Sequence, residues 1–363
     1  MFSLLTCGPG RESYSIYGHT AIRFKNFATG EDLVVNYGIF DMSKKYFVLR
    51  FIFGLTAHTM SITTYDQFCA QYAYEGRWVK EQPLNLNGDE KQRIIEALIE
   101  NDKPENRNYR YNFFYNNCTT KARDMIVSHL SGNVSYPKHN RETTLRQSIH
   151  SYSYGFPWTR LGTNLLLGVK ADKPISDSEQ QFLPINLMND FNEAVVTNEN
   201  GEVRQLVDSL YNIVEIQPKK VERSLFEPWF FSICIAVFLI VVTLIEKFGV
   251  KKWLWWLDAL LMLVLGLCGL ILTAMIFSQQ YALNLNLQIL VLNPLAFIGV
   301  YAALKRNPRH WFWYFYSGCI LLSVVGRFFQ DYAGELKILA SILLVRTIVI
   351  TTYKKSSNRK IVK

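Results

Sequence analysis

The stretch Tyr115-Asn116-Asn117-Cys118-Thr119-Thr120-Lys121-Ala122-Arg123-Asp124-Met125 decides how the N-terminal half of the chain is read. An aromatic, strand-like approach leads into two asparagines suited to a tight turn, and a cysteine then opens a run of helix-compatible residues. A thiol at a helix start meets unpaired backbone N–H groups and the positive end of the helix dipole, and both lower its pKa toward the reactive thiolate. A free cysteine is as readily a small apolar core residue. A second stretch, Tyr17-Gly18-His19-Thr20-Ala21-Ile22-Arg23-Phe24, shifts the balance toward chemistry.

Residues 1–6 read as a short strand ended by the turn Cys7-Gly8-Pro9-Gly10. Residues 21–27 and 33–40 carry β-suited side chains of alternating polarity, and Ala28-Thr29-Gly30-Glu31-Asp32 between them suits a hairpin turn. The two strands then lie side by side, with His19 and Asn36 facing one edge; sequence does not set the register. Residues 44–57 are aromatic and apolar, including Phe47, Phe51 and Phe53, and suit a core face more than a surface resting on a bilayer. The second half of 62–74 is predicted helical. Asn87-Gly88-Asp89-Glu90 caps a further helix with Ile94, Ile95, Leu98 and Ile99 on its buried stripe. The Cys118 helix is predicted to run to about Leu130. Helices are also expected over 143–150 and 187–196, whereas 203–216 is compatible with strand or helix, and 217–223 is a linker.

Composition changes abruptly near residue 224. Residues 1–226 carry 25 Lys and Arg against 25 Asp and Glu, and the remainder 14 against 5, which accounts for the whole net charge of +9. That excess lies between and after apolar runs, so a basic pI points to no nucleic acid here; the membrane is the relevant polyanion. The runs are 228–245, 253–277, 287–304, 311–326 and 336–352, each close to the ~20 residues a spanning helix needs. Lys247, Lys251 and Lys252 follow the first, Lys305, Arg306 and Arg309 the third, and Lys354, Lys355, Arg359, Lys360 and Lys363 the fifth; 278–286 has no charge. The positive-inside rule therefore assigns 1–224 to an extracytoplasmic domain, 225–353 to five transmembrane helices and 354–363 to a basic cytoplasmic tail. Trp229, Trp253, Trp255, Trp256, Trp311 and Trp313 sit where interface anchors do. An exported domain needs a signal, and Met1 to Gly10 has neither a basic nor a long apolar region. The signal is expected to lie outside this sequence or to have been removed from it.

Cys7, Cys69 and Cys118 fall in the outer domain, and Cys234, Cys268 and Cys319 in the apolar runs. Neither spacing nor count demands a Cys7–Cys69 disulfide. No His, Cys and carboxylate cluster has metal-ligand spacing, and no cofactor is implied. A cysteine hydrolase or transferase needs a thiolate, an imidazole in reach of it and a polar group that orients the imidazole. Of six histidines, His19 is the best placed: Gly18 lets backbone crowd a site and a strand begins there. His58, His129, His139, His150 and His310 lie in less constrained surroundings.

A strand-borne His, a polar residue on the next strand and a Cys at a helix start resemble a circularly permuted papain-like fold, as in lecithin:retinol acyltransferase and NlpC-type enzymes. More closely, Leu4-Leu5-Thr6-Cys7-Gly8-Pro9-Gly10, Tyr17-Gly18-His19-Thr20-Ala21-Ile22-Arg23, Asn36-Tyr37-Gly38-Ile39-Phe40 and Asn116-Asn117-Cys118-Thr119-Thr120 resemble the Lnb-type lipoprotein N-acyltransferases of the Bacteroides group. Leu165-Leu166-Leu167-Gly168, Phe182-Leu183-Pro184, Asn284-Leu285-Asn286 and Asn293-Pro294 extend the resemblance through the membrane part. It implies an α+β, permuted papain-like (NlpC-like) periplasmic domain followed by an all-α five-helix transmembrane domain in the bacterial inner membrane. It also implies transfer of an acyl chain from a membrane phospholipid to the α-amine of a diacylglyceryl-cysteine lipoprotein.

In such a reaction Cys118 would attack the ester and His19 would serve as base. Asn36, or alternatively Tyr37, would orient His19, and the Cys118 amide with Asn117 would face the oxyanion. Arg23 and Arg123 read first as salt-bridge residues and second as phosphate contacts. Asn284 and Asn286 lie in the uncharged outer loop, placed for head groups or for lining an entry. Asn293 suits the backbone groups freed by Pro294, and Arg346 pairing with Asp258, ahead of any phosphate role. A cell-wall amidase or peptidase is the rival enzyme, and a sensor or scaffold with a structural Cys118 the rival without chemistry.

Overall fold

Alternation of apolar side chains, with period two, sets the central sheet of the N-terminal part. In the computed structural model every residue is described except 13, 42, 44, 48–49, 51–52, 139–141, 217–225, 250–252 and 354–363. Phe51, His139, Lys251, Lys252, the linker over 217–223 and the basic tail therefore lie outside the described residues. The chain divides into two units: Met1–Gly155 with Lys173–Glu222, and Phe156–Asp172 with Arg223–Lys363. Residues 156–172, read from sequence as part of the outer domain, thus group with the C-terminal helices.

The first unit is α+β. Its strands β1 (Phe2–Cys7), β2 (His19–Lys25), β3 (Asp32–Ile39), β4 (Ala57–Thr64), β5 (Val79–Pro83) and β6 (Asn108–Arg110) join the strand Tyr211–Val214 in one seven-stranded sheet. The order is Tyr211–Val214, β5, β1, β2, β3, β4, β6, and every neighbouring pair is antiparallel. Phe2, Leu4, Ile22, Val35, Tyr37 and Met60 face one side, where they pack with Ile94, Leu98, Ala122, Ile126, Leu187 and Phe191 of three helices. Leu5, Cys7, Ala21, Val34 and Val79 face the other, against Phe68 and Tyr72 of the helix Tyr65–Tyr74. Burying apolar faces on both sides of one sheet supplies most of its stability, at roughly 25 cal/mol per Å².

The capped helix is Gly88–Asp102, with a reciprocal Asn87–Glu90 box. Ile94 and Leu98 are buried as the stripe predicts, but Ile99 is 64% exposed, because one step past Leu98 turns it away from the sheet. The segment 203–216 resolves into two short strands, Val203–Gln205 and Tyr211–Val214. The helix predicted over 187–196 starts earlier, as Pro184–Glu193, with proline in its first turn where no N–H is missed.

In the second unit, Pro228–Gly249 and Trp255–Ile276 are long and apolar enough to cross a membrane, and Trp311–Gly326 is apolar but shorter. Gly334–Thr352 covers the last run. The third run is not one helix. It holds a 3-10 turn, Leu287–Leu290, and a nine-residue helix, Ala296–Leu304. Pro294 cannot donate to a helix, and Asn293 Oδ1 accepts from the Leu295 N–H at 2.9 Å, as its role beside a proline predicts. Residues 156–172 are tied to this region by buried side-chain amides. Asn286 donates to the Leu165 carbonyl (2.7 Å), Gln288 to that of Asn164 (2.8 Å) and Gln330 to that of Leu167 (2.9 Å).

Of the expected interface tryptophans, Trp229, Trp256 and Trp311 are exposed, while Trp313 is fully buried. Its indole donates to the Asn307 carbonyl (3.1 Å), and Trp253 donates to Asp258 (2.6 Å). Arg346 is buried with both Asp258 and Glu246, and also donates to Thr243 Oγ1 at 3.0 Å. Removing the cation would strand two buried carboxylates, a loss of about 3–5 kcal/mol by the usual cost of breaking a buried pair. Arg346→Met should therefore lower the thermal denaturation midpoint in detergent markedly. Adding Glu246→Gln and Asp258→Asn should recover part of it; equal stability of Arg346→Met and wild type would contradict the pairing.

Candidate active site

Two adjacent strands and one helix start build the site. The turn into β2 depends on Gly18, whose φ of +86° suits glycine and whose ideal Cβ would lie 2.7 Å from the Cys7 carbonyl oxygen. β2 then begins at His19, opposite Cys7 of β1. On β3, Asn36 pairs with Ala21 of β2, and alternation puts its side chain on the same face as His19. The His19 Nε2–H donates to Asn36 Oδ1 at 3.2 Å, and the Asn36 amide donates onward to Thr63 Oγ1 at 3.4 Å. Tyr37, one residue on, points to the opposite face, where its hydroxyl donates to Asn101 Oδ1 at 2.8 Å. Tyr37 as the orienting group is thereby corrected, for a reason of period two.

The helix carrying the cysteine is Cys118–Val127, shorter than the run to Leu130 predicted for it. A tight turn feeds it, with paired Asn112 and Asn116 backbones (2.8 and 3.2 Å). Asn117 is its N-cap: Oδ1 accepts from the Thr119 and Thr120 amides, both at 2.9 Å, and Nδ2 donates to the carbonyls of Phe113 (2.9 Å) and Phe182 (2.8 Å). Its whole carboxamide is thus committed to the turn, and the expectation that it faces an oxyanion is corrected. The Cys118 amide, first of the helix, is not one that this cap accepts.

Cys118 and His19, 99 positions apart in sequence, come close enough for each to shift the other's ionisation. With Nε2 taken by Asn36, Nδ1 is the ring nitrogen left for the thiol, so the asparagine selects the tautomer. Burial by itself would raise the thiol pKa. The His19 charge, its hydrogen bond, the Thr20 backbone N–H and the Thr119 hydroxyl outweigh burial and bring it down to about 7. For His19, burial acts to lower the pKa and Arg77 adds to that, but Cys118 and Asn36 prevail and raise it. The ring also lies parallel to Tyr72, with centroids 6.4 Å apart. Such a pair can hold a thiolate and an imidazolium together near neutral pH.

Sequence reading missed the threonines. Thr119 Oγ1 is 3.8 Å from the sulfur and 3.1 Å from Thr20 Oγ1, so two hydroxyls link the helix start to β2. Their signal was adjacency, each following a catalytic candidate directly. Both free thiols at Cys7 and Cys69 stand unpaired. Among the described residues no cluster of His, Cys and carboxylates is placed to hold a metal ion.

The other candidates lie elsewhere and hold structure together. Arg23 makes ion pairs with Asp32 (2.6 Å) and Glu81 (2.8 Å) beneath the Tyr65 ring. Arg123 pairs with Asp124 and donates to the Ser178 carbonyl at 3.1 Å. In the second unit, the Asn284 amide reaches the carbonyls of Ser278 (2.8 Å) and Gln280 (2.9 Å). Asn286 anchors residues 165–166, Asn293 braces the proline break and Arg346 joins two acids.

Ionisation of Cys118 follows from these contacts, so its alkylation by iodoacetamide should accelerate as pH rises through about 7, well below the ordinary thiol range. In His19→Ala the burial penalty loses its main opponent, and the titration should move upward, costing more than ~10-fold in rate at pH 7. A profile unchanged by that substitution would separate the two side chains.

Two family descriptions match the chain: the Lnb N-terminal periplasmic domain over residues 1–150 and the Lnb transmembrane domain over residues 220–357. No curated protein and no solved structure matches it. The first description spans His19, Asn36 and Cys118, and the second spans the apolar helices. Matched in order by both halves of one family over most of its length, the chain belongs to the Lnb-type proteins, membrane proteins with a periplasmic N-terminal domain.

Proposed function

We propose that this protein is a lipoprotein N-acyltransferase with Cys118 as nucleophile, its N-terminal unit being a circularly permuted papain-like (NlpC-like) domain. One arrangement carries the reading: a cysteine at a helix start, its ionisation favoured by a histidine that an asparagine orients. Family membership adds a role in lipoprotein maturation, and the transmembrane domain adds substrates that stay in the bilayer.

The donor is a membrane phospholipid and the acceptor a diacylglyceryl-cysteine lipoprotein. The Cys118 thiolate attacks an ester carbonyl, forming a C–S bond as the carbonyl pair moves onto oxygen. Collapse breaks the ester C–O bond, and the His19 imidazolium gives its proton to the departing alkoxide, releasing a lysophospholipid. The neutral α-amine of the acceptor then attacks the thioester; His19 takes its proton and the thiolate leaves, completing a triacylated lipoprotein. Asn36 keeps the ring in one tautomer through both halves. No cofactor enters. We place the protein in the bacterial inner membrane with a cytoplasmic C-terminus, on the charge bias of Lys247, Lys305, Arg306 and Arg309.

The purified full chain, given phospholipid and a diacylglyceryl-cysteine peptide, should yield triacylated peptide. Cys118→Ser should abolish that product, a loss of at least ~10³-fold, while circular dichroism stays unchanged. Peptide product from the folded serine variant at the wild-type rate would remove the proposal, and release of free fatty acid without peptide acylation would mark a hydrolase instead.

A further inference from the structure

The tetrahedral adduct on Cys118 needs a donor for its oxyanion, and the Asn117 side chain is fully committed elsewhere. On the reading of Cys118 as an acyl-accepting nucleophile, we infer that the Tyr109 hydroxyl is the side-chain oxyanion donor, working with the first amide of the Cys118 helix.

Tyr109 lies on β6, opposite His58 of β4. Its hydroxyl is buried and without a hydrogen-bond partner in the structure. The hydroxyl's proton is therefore uncommitted in the resting protein. An unpaired buried donor is costly to keep, so its persistence beside Cys118 calls for a use. Gly38 shows where that use lies. It has φ +87°, and an ideal Cβ there would sit 3.5 Å from Cys118 Cβ and 3.8 Å from the Tyr109 hydroxyl oxygen. Glycine thus keeps open a gap bounded by the cysteine on one side and the phenol on the other. A side chain would fill it; a carbonyl oxygen of substrate can enter it. Lys121, one turn along the Cys118 helix, holds its ammonium 4.9 Å from the Tyr109 ring centroid and ties that ring to the same helix. Burial keeps the phenol protonated throughout the physiological range.

In the adduct the carbonyl π pair resides on oxygen, and the Tyr109 O–H donates to it without transferring its proton. When the C–O bond breaks, the pair returns to the carbonyl and the hydrogen bond relaxes.

Tyr109→Phe removes only a donor that the resting protein does not use, so folding should be preserved. The full chain would be assayed in two ways: acylation of Cys118 by a p-nitrophenyl acyl ester, and alkylation by iodoacetamide, a displacement that forms no oxyanion. The expected result is a ~10²-fold slower acylation with alkylation within twofold of wild type. Acylation within threefold of wild type overturns the inference. So does an equal fall in both rates, which would make Tyr109 a support for the thiol pair. If wild-type Cys118 takes the acyl group from the ester yet never passes it to a diacylglyceryl-cysteine peptide, the lipoprotein reading fails and the Tyr109 comparison still decides this one. A wild-type thiol that alkylates but accepts no acyl group overturns both.

Discussion

A thiol buried in protein resists ionisation, because charge without water is costly. Here that resistance is overcome by the charge of His19 nearby, and the surrounding architecture holds the two groups together. Cys118 is fixed by a helix start whose N-cap, Asn117, is bonded at both ends of its carboxamide. His19 is fixed by a strand whose entry needs a left-handed glycine under the Cys7 carbonyl. Asn36 reaches the ring because two antiparallel strands are in a register that puts it on the histidine's face. Shifting β3 by one residue would replace the asparagine with the Tyr37 ring and lose the tautomer.

Much of this arrangement was legible in the sequence, and the parts that were not have physical causes. Strands β1 to β3 carry clean alternation, and the hairpin between β2 and β3 carries turn residues, so neighbourhood could be inferred. Register could not, and register is what separates Asn36 from Tyr37. The thiol and imidazole could be nominated from local chemistry. The threonine hydroxyls and Tyr109 could not, since their contacts join residues far apart in the chain, such as Thr20 with Thr119. Asn117 misled because its residue type suits both a donor and a cap, and the cap has the stronger claim on its atoms.

In the C-terminal unit the apolar runs were readable by length and composition, but the interruption at Asn293-Pro294 turns the third into a turn and a short helix. Charged and amide side chains there do cohesive work: Arg346 gathers Glu246 and Asp258, and Asn286, Gln288 and Gln330 hold residues 156–172 against the helices. That explains why residues suggestive of substrate contact in the sequence have their hydrogen bonds already satisfied. It also leaves the reactive pair described here, Cys118 and His19, within the N-terminal unit.

The central claim is that Cys118 carries the acyl group, and intact-protein mass spectrometry after incubation with a phospholipid of defined chains tests it most directly. The account predicts a mass increase of one acyl chain on Cys118, removed by hydroxylamine and discharged by a diacylglyceryl-cysteine peptide. Transfer to the peptide with Cys118 never acylated, or an acyl group found on another residue, would contradict it.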